Sequence, residues 1–216
     1  MSELTKRIIS SIVLLILIYL TLNNIFFLFF FIFLINYISL NEFNLMFKKI
    51  FDKNKLNYFI SLIATTVYLV YFSLVIWFYL FTFKDINLIS LVFLLIICVS
   101  TDLGGFVFGK IIGGKKLTKI SPSKTYSGAL GSFLLPILIG YLFYNNFKEF
   151  FIFELNVFIL IMFISFVSQF GDLVISFFKR KAKIKHSGSI LPGHGGILDR
   201  IDGILLALPL GIFLIS

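Results

Sequence analysis

Cysteine is nearly missing from this 216-residue chain, where Cys98 stands alone. An internal disulfide and a Cys-rich metal site are therefore excluded. Charge is scarce as well, at 13% of residues, against 59% hydrophobic residues. Average soluble domains carry about 25% charged and about 45–50% apolar residues. The departure excludes a soluble domain, and it excludes a disordered tail, which needs low hydrophobicity. Negative charge is the scarcer sign: 10 acidic residues face 19 basic ones, a formal net charge of +9. Nucleic acid is not needed to explain that excess, because membrane proteins collect Lys and Arg in cytoplasmic loops.

Glycine is absent before Gly104, and proline is absent before Pro122. The first hundred residues are Phe, Leu, Ile, Val and Tyr with scattered Asn and Ser. We divide the chain accordingly: residues 1–99 as a lipid-facing scaffold of transmembrane helices, and 100–216 as a catalytic membrane region with cytoplasmic loops.

Uncharged runs locate the spans. They cover residues 8–41, 56–83, 86–101, 125–147, 155–171 and 203–216. A spanning helix needs about 17–25 mostly apolar residues. The first run holds two short helices, with Asn23 and Asn24 as the turn. The second reads as one long tilted helix. The expectation is an all-α, polytopic integral membrane protein of about seven transmembrane helices, over 8–22, 25–41, 57–82, 87–108, 127–145, 152–178 and 202–216. This count puts 17 of the 19 basic residues on one face. The positive-inside rule makes that face cytoplasmic, with the N-terminus inside and the C-terminus outside. Residues 8–22 lack a small-residue cleavage site and read as a retained helix rather than a signal peptide.

Glycine, proline and acid then cluster in two blocks. In the second, Asp172, Ser176 and Lys179 are spaced i, i+4, i+7 and share one helical face. A charged carboxylate inside a span costs roughly 2.5–3.5 kcal/mol on insertion scales and normally has a partner or a wet cavity. Asp199 and Asp202 lie at the entry of the last helix, where carboxylates also serve as caps. Acidic oxygens beside Lys179, Arg180, Lys185 and Arg200 suit Mg²⁺ and a polyphosphate, since magnesium uses one or two carboxylates plus phosphate oxygens. Gly193, His194, Gly195 and Gly196 form a compact loop whose amides can converge on an anion. The first block holds Asp102 with Gly104, Gly105 and Gly109, followed by Ser121, Lys124 and Thr125 as phosphate donors. Glu42, at an expected helix end, reads as a carboxylate at the water interface. From residues alone, the reading is a metal- and phosphate-handling enzyme at the cytoplasmic membrane face.

Residues 176–202 read SFFKRKAKIKHSGSILPGHGGILDRID. This stretch closely resembles the signature of phosphatidate cytidylyltransferases, also called CDP-diacylglycerol synthases. Upstream, STDLGGFVFGK and ISPSKTYSG resemble two further segments of that family, in the same order. The resemblance covers about residues 100–211, with the basic start and Glu42. It implies transfer of a cytidylyl group from CTP to phosphatidic acid, giving CDP-diacylglycerol and pyrophosphate for phospholipid synthesis. It implies a Mg²⁺ cofactor, with Asp172 and Asp199 as metal carboxylates and Asp202 in support. Ser176, Lys179 and Arg180 complete the expected catalytic set. Ser121, Lys124, Thr125, Lys185, Gly193, His194, Gly195, Gly196 and Arg200 are the expected substrate contacts. The expected setting is the cytoplasmic (inner) membrane, with membrane lipid as partner, a homodimer as the candidate assembly and no nucleic acid. The sequence departs from the family at His186, where Asp is usual, and at Ser123 and Ser127, where Lys and Glu are usual. Another CTP-dependent lipid enzyme, of polyprenol kinase or CDP-archaeol synthase type, and a non-catalytic membrane homologue are the alternatives.

Overall fold

The described parts of the uncharged runs become helices, but several helices overrun them into charged residues. In the computed structural model the described residues are 24–82, 84–118, 121, 124–151, 155–190 and 195–216. They form six α-helices: α1 Ile25–Ile50, α2 Lys55–Thr82, α3 Lys84–Ile111, α4 Tyr126–Asn146, α5 Val157–Lys181 and α6 Leu198–Ile215. A 3-10 turn, Lys148–Phe150, follows α4, and no strand occurs among the described residues. The expected helix over 8–22, with Lys6 and Arg7, lies outside the described residues.

Local chemistry sets most of the boundaries. Asn24 caps α1 by accepting from the Phe26 amide at 2.9 Å. Lys48 and Lys49 fill its last turn, where positive charge suits the dipole. Because α1 runs to Ile50, Glu42 lies within the helix and not at its end. Asn54 accepts from the Asn57 amide at 3.1 Å as α2 begins. The 28 residues of α2 form one helix, as expected, long enough at about 1.5 Å per residue to cross a bilayer with tilt. Gly113 and Gly114 take φ of 65° and 106° just after α3, a conformation open to glycine at helix ends. Thr125 caps α4, accepting from the Gly128 amide at 3.1 Å.

Five of these helices are long and apolar enough to span a membrane: Phe26–Ile50, Lys55–Thr82, Asn87–Ile111, Tyr126–Asn146 and Val157–Lys181. The chain is thus an all-α, multi-pass membrane protein. The last expected helix starts at Leu198 instead of 202, taking Asp199, Arg200 and Asp202 into its first turns.

The chain forms two units. One comprises the described residues up to Trp77 together with Phe178–Ile201; the other comprises Phe78–Phe177 with Asp202–Ser216. In the first, polar groups link α1 to α2. Asn36 donates to the Leu69 carbonyl at 3.0 Å, and the Tyr58 hydroxyl donates to Asn44 at 2.6 Å. Such interhelical bonds are worth about 0.6–2 kcal/mol in lipid.

In the second unit, the close approach of α3 to α4 rests on missing side chains. A Cβ at Gly104 would collide with the Gly131 carbonyl, and one at Gly128 would lie 2.7 Å from the Gly105 carbonyl oxygen. Lipid tails are as apolar as Leu, so contact of this kind, and not apolar burial, drives helix association. A Cβ at Gly171 would meet the Asp202 carbonyl oxygen at 2.7 Å, which brings α5 and α6 together beside Asp172. Phe93 is fully buried, with its ring centroid 6.1 Å from that of Phe143 and 5.0 Å from that of Phe151.

Candidate functional site

The second unit contains a cavity of about 230 Å³, lined by apolar groups such as Phe106 and Leu117 and by the polar side chains of Asp102, Lys124, Thr125, Ser132, Gln169 and Asp172. Three segments build it. Helix α3 supplies Asp102, the loop and first turn before α4 supply Lys124 and Thr125, and α5 supplies Gln169 and Asp172. Lys124 and Asp172 form an ion pair, and both remain partly exposed. Ser176, one turn along α5, donates to Asp172 Oδ1 at 3.2 Å. Three expected site residues, Asp172, Ser176 and Lys124, therefore meet. Asp102 lines the same cavity, so two carboxylates and one ammonium face one space.

Ser121 is buried before α4, where its carbonyl accepts from the Lys124 amide at 3.0 Å. It shapes the turn that carries Lys124. Asp202 is buried and accepts from the Gly203 amide at 2.9 Å.

The first unit gathers a second set of residues around Asp199. Lys179 Nζ lies 2.7 Å from Asp199 Oδ1. The amides of Ser187 and Gly196 donate to Asp199 Oδ2 at 3.0 and 3.2 Å. Burial works to raise the Asp199 pKa, but the hydrogen bond and charge of Lys179 and the two amides outweigh it. The group is held below its ordinary value and stays ionised at neutral pH. His186, the departure from the family pattern, places Nδ1 3.7 Å from Asp199 Oδ2. Gly195 has φ of 84°, and a Cβ there would lie 2.8 Å from Asp199 Oδ2. Glycine is required at that position on both counts. Arg180, Lys185 and Arg200 are exposed. Gly196 is buried and its amide is engaged by Asp199, so it shapes the loop. Gly193 and His194 lie outside the described residues.

The expected metal carboxylates fall one in each unit, Asp172 in the second and Asp199 in the first. Among the described residues, no three His, Cys, Asp or Glu side chains gather as a ready-made ligand set. Hard oxygen donors that line an open cavity, as Asp102 and Asp172 do, suit magnesium, which keeps waters and takes few protein ligands.

Sequence reasoning read Glu42 as an interface carboxylate. It is instead 1% exposed, and it accepts from the Ser187 hydroxyl at 2.6 Å and from the Ile197 and Leu198 amides at 3.0 Å each. The available signal was position: Glu42 is the sole acidic residue between Glu3 and Asp52, within a long apolar helix.

A family model described as the cytidylyltransferase family matches residues 3–216. The chain is similar to a phosphatidate cytidylyltransferase of Helicobacter pylori (strain ATCC 700392 / 26695), at 41% identity over 124 residues, covering 57% of this chain and 46% of that protein. A phosphatidate cytidylyltransferase of Rickettsia bellii (strain RML369-C) is 43% identical over 122 residues, covering 53% and 52%. One of Staphylococcus aureus (strain COL) is 45% identical over 118 residues, covering 51% and 42%. The chain spans about half the length of the curated relatives it matches.

Proposed function

The chain belongs to the cytidylyltransferase family, and on that premise we propose that it transfers a cytidylyl group from CTP to phosphatidic acid. The products are CDP-diacylglycerol and pyrophosphate. One observation carries the reading beyond resemblance: Lys124, Asp102 and Asp172 share one cavity beside the membrane-spanning helices. That combination suits a polyphosphate and a divalent cation.

In the reaction, a phosphate oxygen of phosphatidic acid attacks the α-phosphorus of CTP. The bond from that phosphorus to the oxygen bridging to the β-phosphate breaks, and pyrophosphate leaves. The nucleophile is already anionic, so no strong general base is needed. The barrier lies in bringing two anions together, and positioned cations lower it. Lys124, Lys179, Arg180, Lys185 and Arg200 are assigned that neutralising role. Thr125 is assigned a hydrogen bond to a phosphate oxygen, and Ser176, whose hydroxyl donates to Asp172, is assigned the positioning of that carboxylate. Asp172 is the proposed metal carboxylate in the cavity, with Asp199 as the second expected from the resemblance and Asp202 supporting. Bound Mg²⁺ would supply charge neutralisation of the polyphosphate and of the departing pyrophosphate.

Residues 100–216 are assigned the chemistry, and 1–99 the lipid-facing scaffold. We place the protein in the cytoplasmic membrane, N-terminus inside, with the reaction at the cytoplasmic face. The purified protein, given CTP, phosphatidic acid and Mg²⁺, is expected to release pyrophosphate and form CDP-diacylglycerol. A protein that forms neither overturns the reading.

A further inference from the structure

We propose that Glu42 is the positioning residue of the glycine-rich segment, holding Ser187 and the start of α6 in the geometry that fixes Asp199. The inference rests on the proposed function, and it adds a residue from the segment otherwise assigned as scaffold.

A fully buried carboxylate is costly unless its oxygens are satisfied. Glu42 meets that condition through three donors, all 145 to 156 residues away in sequence. Oε1 takes the Ile197 amide, and Oε2 takes the Leu198 amide and the Ser187 hydroxyl. The two amides open α6, whose first turn has no intrahelical acceptors. The residue preceding Leu198 is Ile197, whose side chain has no oxygen with which to cap the helix. Glu42 supplies the missing cap from α1.

Two glycines of the segment, Gly188 and Gly196, fit around this carboxylate. A Cβ at Gly188 would lie 2.5 Å from Glu42 Oε1, 3.0 Å from its Cδ and 3.2 Å from its Cγ; all three nearest atoms belong to Glu42. A Cβ at Gly196 would collide with both Glu42 oxygens and with the Ser187 hydroxyl. Gly188 and Gly196 thus mark the space that Glu42 occupies.

Ser187 couples the two carboxylates. Its hydroxyl donates to Glu42 and its amide donates to Asp199. On the other side of the loop, Gly196 donates to Asp199 while the next two amides donate to Glu42. Both ends of the segment 187–198 are therefore tied to the same pair. Removing Glu42 releases the Ser187 side chain and the α6 amides, and with them the frame that aims Asp199 and its partner Lys179. A misplacement of about 1 Å can cost on the order of a hundredfold in rate.

The test combines amide-resolved hydrogen exchange with steady-state kinetics on the full chain in detergent, for wild type, Glu42→Gln, Ser187→Ala, Gly188→Ala, Glu42→Ala and the Glu42→Ala/Gly188→Ala pair. Glu42→Gln is expected to speed exchange at Ile197 and Leu198 and also at Ser187 and Gly196, whose amides bind Asp199. Its kcat is expected to fall on the order of tenfold or more, with the KM for phosphatidic acid within about threefold, since the buried Glu42 is given no contact with substrate. Gly188→Ala should reproduce the kcat loss while Glu42 is present and add nothing once Glu42 is alanine.

Faster exchange confined to Ile197 and Leu198 overturns the proposal, as does a wild-type kcat in folded Glu42→Gln. So do lowered melting points at unchanged kcat, which describe a packing residue. If Glu42→Gln does not fold, unchanged exchange at Gly196 and unchanged kcat in both Ser187→Ala and Gly188→Ala overturn it. A wild type that makes no CDP-diacylglycerol defeats the proposed function instead, and the exchange pattern then decides the role of Glu42 by itself.

Discussion

Lys179 Nζ stands 2.7 Å from Asp199 Oδ1, at 13% and 9% side-chain exposure, while two backbone amides fill the other oxygen of the same carboxylate. Lys179→Met leaves that carboxylate largely buried without its cation. The expected cost is about 1–3 kcal/mol. It should appear as a lower thermal midpoint in detergent, together with a loss of CDP-diacylglycerol formation.

The depressed pKa of Asp199 sets a pH dependence. A carboxyl group whose folded pKa lies below its unfolded value binds fewer protons when folded. Its stabilisation is fully present above the unfolded value, near 3.8, and is lost as pH falls through the lower folded value. Thermal midpoints measured from neutral pH downward should lose this contribution only below about pH 4. The decline should be shallower in Asp199→Asn, which has nothing there to protonate.

The α3–α4 contact leaves no room for added atoms at Gly131, where a Cβ would collide with the Phe108 side chain. Gly131→Val is expected to lower the folded yield and the thermal midpoint. Its neighbour Leu130 is 65% exposed, so Leu130→Val should leave both nearly unchanged.

The proposed orientation places Lys116, in the loop after α3, on the cytoplasmic side. Cys98 is buried and is the chain's sole cysteine, so it gives little background to a thiol label. Lys116→Cys should react with a membrane-impermeant maleimide in inside-out vesicles and stay unreacted in intact cells. The reverse pattern contradicts the orientation.

The helices were legible because uncharged runs of spanning length have few other uses, and their caps, Asn24 and Thr125, are ordinary ones. Helix ends were less legible. Glu42 looked like the end of a span because a carboxylate in lipid is costly, yet α1 continues to Ile50 since donors from a distant segment satisfy that group. The site residues of α5 and of the loop before α4 could be named from spacing and resemblance. Their partners could not. Nothing in the sequence pairs Lys124 with Asp172, or Ser187 with both Glu42 and Asp199. Those contacts depend on the close approach of segments distant in sequence, which Gly188 records at Glu42 only by lacking a side chain. Gly196 shows the same limit: a glycine-rich loop suggests amides aimed at an anion, and here the amide meets the protein's own Asp199.

The central claim is cytidylyl transfer to a phospholipid, and label transfer tests it most directly. Purified protein is incubated with phosphatidic acid, Mg²⁺ and CTP labelled either in the α-phosphate or in the γ-phosphate. The account predicts that α-label enters the lipid fraction as CDP-diacylglycerol, that γ-label leaves as pyrophosphate, and that Asp172→Asn loses the transfer on the order of a hundredfold. Label from the γ-phosphate in lipid, or α-label that never leaves the aqueous phase, would contradict it.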